Sequence, residues 1–548
     1  MVRKIILSFL VIFLVACGNK ENQTVQADLP FMWENATVYF LMTDRFNNGD
    51  PTNDFKHPAG QDPAPYRGFM GGDIKGVTAK IKDGYFDSLG INAIWTTPVV
   101  ENVEGSVDEG TGRSYGFHGY WTKDWTMIDP RLGTAADFKE MVDEAHKHNI
   151  KIIVDVVLNH TGPVTELDQE WPKEWVRTSP QCVYKDMNST ISCTLVKNLP
   201  DIRTEDDSTA VMLPEFLIKK WQNEGRYEKE IAELDAFFTN TGYTRSSQNY
   251  IIKWLIDFIK EYGVDGFRVD TAKHVEGYVW QKLWDQAKAA FEQHKKNNPA
   301  AFKDDLEFYM VGEVYNYGLA NGPLYDYGDR KVNFYESGLN SMINFDFKYD
   351  AIMAYNTMHE KYDSILSSPE MQGKWLLNYL SSHDDGAPFD PKREKTYESA
   401  NRLLLNRGAA QIYYGEETAR SLTVKAEGDA VLRSYMNWED LNKVETQDLH
   451  KHFQKLGTFR KKHPALGAGK HTTLKELPYT FSRSWTNGNL NDAVVVCIGC
   501  SKGPKSIDVS SAFTDGMEVT DHYSGLSGKV KKGVVTIDSP YDMVLLGL

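Results

Sequence analysis

Eight short apolar runs recur along the chain, each followed by a stretch whose apolar residues return at helical spacing. In order they are "ATVYFLMTDRF", "GINAIWTTPV", "IKIIVDVVLNH", "GVDGFRVD", "FYMVGEV", "SMINFDF", "LLNYLSSHDD" and "AAQIYYGEE". Between them lie amphipathic stretches such as "AADFKEMVDEAHKH" and "YIIKWLIDFIKEY". Short apolar runs bounded by turn residues predict buried strands, and apolar residues recurring every three or four positions predict helices. Eight strands alternating with helices predict a (β/α)8 barrel. The rhythm breaks once. About 90 residues separate the third and fourth runs, and this polar stretch holds Cys182 and Cys193, which predicts a small inserted domain over 161–244. After "FRKKHPALGAGK" the helical period stops. "TLKELPYTFSRSW", "DAVVVCIGC" and "VVTIDSPYDMVLLGL" alternate as strands, predicting a C-terminal antiparallel β domain over 464–548 and leaving 35–160 and 245–463 for the barrel.

Charged residues sit where such runs should exclude them. In "GVDGFRVDTAKH" an arginine and an aspartate close a buried strand. Residues i and i+2 of a strand share a face, so Arg268 and Asp270 can neutralise one another while Phe267 and Val269 face away. Alone, this would be an ordinary ion pair at a strand end. A barrel places its active site at the C-terminal ends of its strands, and there the polar residues gather: Asp155, Asn159 and His160 on the third, Arg268 and Asp270 on the fourth, Glu313 on the fifth, His383 and Asp384 on the seventh. Three acids ending three apolar strands at one rim call for chemistry.

Composition narrows the partners. The net charge of −15 argues against nucleic acid and anionic lipid, which want basic surface, and suits a neutral substrate or a metal cation. The N-terminus reads as a targeting segment: "MVRK" is the positive region, "IILSFLVIFLVA" is too short for a comfortable membrane span, and "LVAC" ends it at Cys17. This resembles a bacterial lipoprotein signal over 1–16, with Cys17 lipidated and 17–34 as a tether. The expected location is the cell envelope, with membrane contact only through the lipid and the outer membrane as the anchor site. Export to an oxidising compartment allows disulfides. Cys182 and Cys193 bracket a plausible hairpin and are expected to pair. Cys497 and Cys500 lie roughly 10 Å apart along an extended strand, too far for a bridge unless Gly499 turns; with a single CxxC unit, zinc is the weaker reading.

At the rim residues the sequence resembles the α-amylase superfamily of glycoside hydrolases, over about residues 35–548. "DVVLNH" (155–160), "GFRVDTAKH" (266–274), "VGEV" (311–314) and "SSHDD" (381–385) match its four best known segments in order and spacing, and "LPDI" (199–202) matches the one in the inserted domain. "FHGYW" (117–121), "TDRFNNGDPTND" (43–54) and "MNW" (436–438) add local similarity, and the whole is most like the periplasmic α-amylases of Gram-negative bacteria. The resemblance implies hydrolysis of α-1,4-glucosidic bonds in starch, glycogen or maltodextrins by an endo-acting, retaining enzyme. Asp270 would be the nucleophile, Glu313 the acid and base, and Asp384 a ligand of ring hydroxyls that distorts the sugar. Arg268 would keep Asp270 ionised. His118, His160 and His383 would line the sugar at the cleavage point, Tyr120 would stack beneath it, and Lys273 and His274 would meet the leaving-group side. Trp121 and Trp125 fit core packing better than sugar stacking.

The resemblance also implies one or two calcium ions. Asn159, Asp201 and the His274 carbonyl match positions that tie the inserted domain to the barrel. Asn48, Asp50, Asn53, Asp54, the Gly71 carbonyl and Asp73 match a calcium loop of cyclodextrin-forming relatives. Hard oxygen ligands suit calcium. One departure matters: many members carry Asn where Ser382 stands, a chloride ligand in chloride-activated relatives, so chloride activation is not expected. A monomer is expected. Two alternatives stand beside the hydrolase: a transglycosylase or cyclodextrin-forming enzyme, which usually carries further C-terminal domains, and a non-catalytic glucan-binding lipoprotein.

Overall fold

The computed structural model describes residues 29–302, 304–426 and 428–548; Cys17 and its signal segment lie outside them. Eight strands form a closed barrel: Thr37–Leu41, Ala93–Thr96, Lys151–Val156, Gly266–Val269, Tyr309–Gly312, Ser341–Asn344, Trp375–Tyr379 and Ala409–Tyr413. Each pairs in parallel with its neighbours in chain order, and the eighth closes on the first. These are the eight apolar runs of the sequence. The register sets Arg268 level with Asp155 on one side and Val311 on the other, so three strand ends finish at one height.

Local chemistry starts and stops the surrounding helices. Ile74–Lys82 is capped by Asp73, whose carboxylate accepts the Gly76 N–H. Ala135–Lys147 opens on a capping box between Thr134 and Asp137. Ser247–Tyr262 stops at Gly263, in the left-handed conformation at φ 76°. This last helix is buried along most of its length because the segment between the third and fourth strands packs over it.

That segment holds the paired short strands Val176–Arg177 and Asp201–Ile202 and the helices Asn188–Ile191, Glu215–Asn223 and Tyr227–Thr241. Its Trp175 and Trp221 rings meet Trp254 of the buried helix, and Trp125 joins from the other side. Aromatic contacts of this kind add about 0.5–1.5 kcal/mol each beyond burial, so the indoles are the apolar clasp of the segment. Trp125 is fully buried there and Trp121 nearly so, both as core. Cys182 and Cys193 are joined by a disulfide in the same segment.

Beyond the last barrel helix, Val444–Lys462, a six-stranded antiparallel sheet begins at Lys470, with a separate two-stranded ribbon of Gly503–Asp508 and Val534–Ser539. Buried Arg483 docks it by donating to the carbonyls of Leu405 and Leu466. Among the described residues no helix is long and apolar enough to cross a membrane.

Candidate active site

Two acids stand one residue beyond their strands, held there by the barrel's own ladder. The Asp270 N–H donates to the Val156 carbonyl at 3.0 Å and the Glu313 N–H to the Val269 carbonyl at 2.9 Å. Arg268, with a side chain only 1% exposed, points into the rim between them. Its Nη1 lies 2.7 Å from Asp270 and its Nη2 3.0 Å from Glu313. The same Nη1 reaches both carboxylate oxygens of Asp155, at 3.0 and 3.1 Å. One guanidinium thus spans three carboxylates.

A single cation cannot neutralise three buried acids, so a proton must be retained. Burial, opposed by Arg268 and reinforced by the charges of Asp270 and Asp384, pushes Glu313 up to about 8. Burial likewise pushes Asp155 up to about 7 against the pull of Arg268. Glu313 Oε2 accepts the Thr271 N–H at 2.9 Å. Thr271 sits in the left-handed region at φ 48°, a conformation that costs a non-glycine residue about 1–3 kcal/mol and aims that N–H at the acid.

Tyr120 organises the floor. Its hydroxyl donates to Asp155 at 2.7 Å, its N–H to His118 Nδ1 at 3.1 Å, and its carbonyl meets His160 Nε2 at 3.2 Å. Its ring stacks on His383, 5.2 Å between centroids and 11° from parallel. Burial pushes His383 down to about 4 and lowers His118 and His160 as well. Near neutral pH these imidazoles are uncharged, each offering one donor and one acceptor.

Asp384 is exposed to the cleft, with the Ser382 hydroxyl donating to it at 2.8 Å. Ser382 thereby fills the position noted for its departure from Asn. Its neighbours are clamped: Arg433 Nε donates to the His383 carbonyl at 2.9 Å, and Lys348 pairs with Asp385. On the Glu313 side, Lys273 Nζ reaches the Tyr315 carbonyl at 3.3 Å and the Tyr325 hydroxyl at 3.2 Å, beneath the rings of Tyr184, Tyr315 and Tyr325. His274 is turned away toward the inserted segment, its Nδ1 2.8 Å from the Thr190 carbonyl.

Asp270, Glu313, Asp384, Arg268, His118, Tyr120, His160, His383 and Lys273 therefore form one linked constellation. Sequence reasoning placed Asp155 at the rim without giving it a role, and left out Trp95, Thr271, Lys348 and Arg433. Asp155 was within reach as a lone acid in an apolar run and the register partner of Arg268. Trp95, which donates to Asp155 at 3.1 Å, looks like any core indole.

The proposed metal ligands form two separate groups. Asp201 is 1% exposed and neither of its carboxylate oxygens accepts a hydrogen bond, although Arg177 Nε stands 2.8 Å away. Burial, against Arg177, pushes it up to about 8. Asn159 is buried beside it, its carbonyl accepting the Ile202 N–H at 2.7 Å. In the first loop, the side-chain oxygens of Asn48 and Asn53 are buried without partners. Asp54 and Asn48 crowd Gly71, where an added Cβ would meet Asp54 Oδ1 at 2.6 Å. Asp50 and Asp73 are already partnered, Asp50 by Lys75 and Thr52 and Asp73 by three backbone N–H groups. Among the described residues no cluster of three or more His, Cys, Asp or Glu could hold a metal by itself.

A parallel barrel carrying paired acids at its C-terminal rim has the arrangement by which glycosidases cleave sugars. The family model "Alpha amylase, catalytic domain" matches residues 40–466. The chain is 34% identical over 515 residues to the periplasmic α-amylase of Escherichia coli, covering 83% of this chain and 71% of that one. It is 27% identical to a cyclomaltodextrin glucanotransferase of Paenibacillus macerans, covering 84% of this chain but 57% of the relative. The crystal structure of an Anoxybacillus α-amylase superposes with a TM-score of 0.65 at 22% identity, covering 94% of this chain and 99% of that one. The chain belongs to the α-amylase family of glycoside hydrolases.

Proposed function

We propose that the protein is an endo-acting α-1,4-glucan hydrolase that works by retaining double displacement. The observation that carries this reading is the shared guanidinium: Arg268 holds Asp270 and Glu313 together while burial keeps the proton on Glu313. Asp270 attacks the anomeric carbon as Glu313 gives its proton to the departing oxygen. Glu313, now ionised, takes a proton from water, and that water attacks the same carbon from the face the leaving group vacated. Neutral His118, His160 and His383 exchange hydrogen bonds with the ring hydroxyls, Tyr120 offers an apolar face, and Asp384 grips two hydroxyls and flattens the ring. Rapid NMR of fresh products from maltooligosaccharides should show the α-anomer first; the β-anomer first would overturn the mechanism. A product series dominated by cyclic glucans would favour the transglycosylase alternative.

Calcium is proposed at two places. The buried Asp201 carboxylate, whose partner is Arg177, suits, with Asn159 and the His274 carbonyl, an ion tying the inserted segment (161–244) to the barrel. The orphaned oxygens of Asn48 and Asn53, with Asp54 and the Gly71 carbonyl, suit a second; Asp50 and Asp73 would join only by giving up present partners. When bound, the ion supplies positive charge and fixes loops. We further propose that Cys17 carries lipid and anchors the enzyme in the cell envelope, a reading supported by the "LVAC" pattern. Cys17→Ser should move the protein to the soluble fraction or leave it unprocessed; unchanged detergent partitioning at mature size would refute it.

A further inference from the structure

The C-terminal sheet holds a second pair of cysteines that the hydrolytic reading does not use. Cys497 lies one residue from the end of the strand Leu490–Ile498, between Thr480 and Val544 on its neighbours. Gly499 then turns the chain at φ 72°, and the Cys500 N–H donates to the Asp542 carbonyl at 2.9 Å. The turn folds Cys500 back, so both thiols lie buried in one small apolar core. Both are free, whereas Cys182 and Cys193 are already bonded.

Their surroundings differ in a useful way. Cys497 stands across from Thr480 in the ladder, with the Lys505 ammonium close by. Lys505 is itself fixed on the Ser539 and Tyr541 carbonyls, at 2.8 and 3.0 Å. The neighbouring Cys500 thiol, opposed by burial and helped by Thr480 and Lys505, lowers the Cys497 thiol to about 7. Cys497 in turn, with burial, raises Cys500. A thiolate-prone cysteine beside a protonated one is the arrangement that thiol–disulfide exchange requires.

We propose that Cys497 and Cys500 are a dithiol that closes to an intramolecular disulfide, with Cys497 attacking and Cys500 resolving. The Cys497 thiolate attacks one sulfur of a small disulfide oxidant, forming a mixed disulfide and releasing one thiol. Cys500 then loses its proton and attacks Cys497 Sγ, expelling the second thiol. The protein gives up two protons and two electrons, and the oxidant's disulfide becomes two thiols. With Cys497 2% and Cys500 6% exposed, exchange draws on local opening at the strand end and is expected to be slow.

The test uses the full chain, reduced and then incubated with oxidised glutathione, quenched in denaturant with an alkylating reagent and mapped by peptide mass spectrometry. The expected peptide contains both cysteines, lacks any label and is lighter by two hydrogens. Full alkylation of both, or a stable glutathione adduct in the wild type, would overturn the proposal. Cys500→Ser should trap Cys497 as its glutathione adduct. An equal adduct on Cys500 in Cys497→Ser would overturn the order of attack. Gly499→Val, strained at a positive φ, should slow closure.

Discussion

The barrel rim and the inserted segment each bury a carboxylate, and they do so in opposite ways. At the rim, Asp270 and Glu313 are fixed by ladder hydrogen bonds and share a guanidinium from the same sheet. In the inserted segment, Asp201 lies as deep but accepts no hydrogen bond; its one ion pair, to Arg177, leaves both oxygens without a donor in line. A buried carboxylate held by a single ion pair is costly. The rim is complete within the chain, whereas the inserted segment has the look of a site finished by something added. Chemistry should therefore fail by mutation at the rim, and stability should respond to ions at the insertion.

The largest effect tests the rim directly. Asp270→Asn keeps the shape and an acceptor for Arg268, so melting should stay within a few degrees while turnover falls by several orders of magnitude, because the covalent intermediate cannot form. Glu313→Gln should match it on natural glucans yet spare the first step for aryl glycosides whose leaving groups need no proton. Steady-state rates alongside thermal melts decide this, and an Asp270→Asn enzyme retaining a tenth of its rate would remove the contrast. Asp155→Asn should cost less, about 10²-fold in kcat/KM, since it displaces Arg268 without touching substrate. The loss should appear in kcat more than in KM.

The pH profile measures the same rim more gently. With Glu313 pushed up to about 8, kcat/KM should fall tenfold per unit above that value, as the acid loses its proton. Stability follows the same sign. The folded protein holds this proton more tightly than the unfolded chain, whose glutamate titrates near 4.5. The associated stability is therefore fully present below about 4.5 and is lost as pH rises through 8. Glu313→Gln should flatten that part of the stability curve. A wild-type activity limb breaking near 5 would show that Arg268 outweighs burial.

What the sequence made legible follows the same division. The eight strands were readable because each is buried on both faces and so reads as an apolar run, and the acids stood out against that background. Arg268 and Asp270 could be placed on one face by alternation alone. Asp155 was visible as a residue but not as the third partner, because strand register is a tertiary fact. Ser382 read as a departure from a pattern, yet its hydroxyl contact with Asp384 depends on a local turn. His274 read as a contact on the leaving-group side, but the helix at 188–191 draws its ring to the Thr190 carbonyl. Arg177 gave no signal at all, since only the antiparallel pairing sets it across from Asp201.

The smallest effects compare the two calcium groups. A bound ion stabilises the native state by mass action, about 2.7 kcal/mol when free calcium is a hundred times its dissociation constant. Exhaustive chelation should lower the melting temperature by a few degrees, and calcium should restore it. Asp201→Ala should abolish most of that response and reduce activity, because the inserted segment carries Tyr184 to the side of Lys273. Asp50→Ala should do less. Its carboxylate is already held by Lys75 and Thr52, so the loop can keep its shape around Asn48, Asn53 and Asp54 without it. Melting should shift slightly and the rate should not change. Asn53→Ala, which removes an orphaned oxygen, should weaken the calcium response more than Asp50→Ala does. If elemental analysis finds no calcium and chelation moves neither melting nor rate, both sites fall, and the Arg177 pair is then all that holds Asp201 in place.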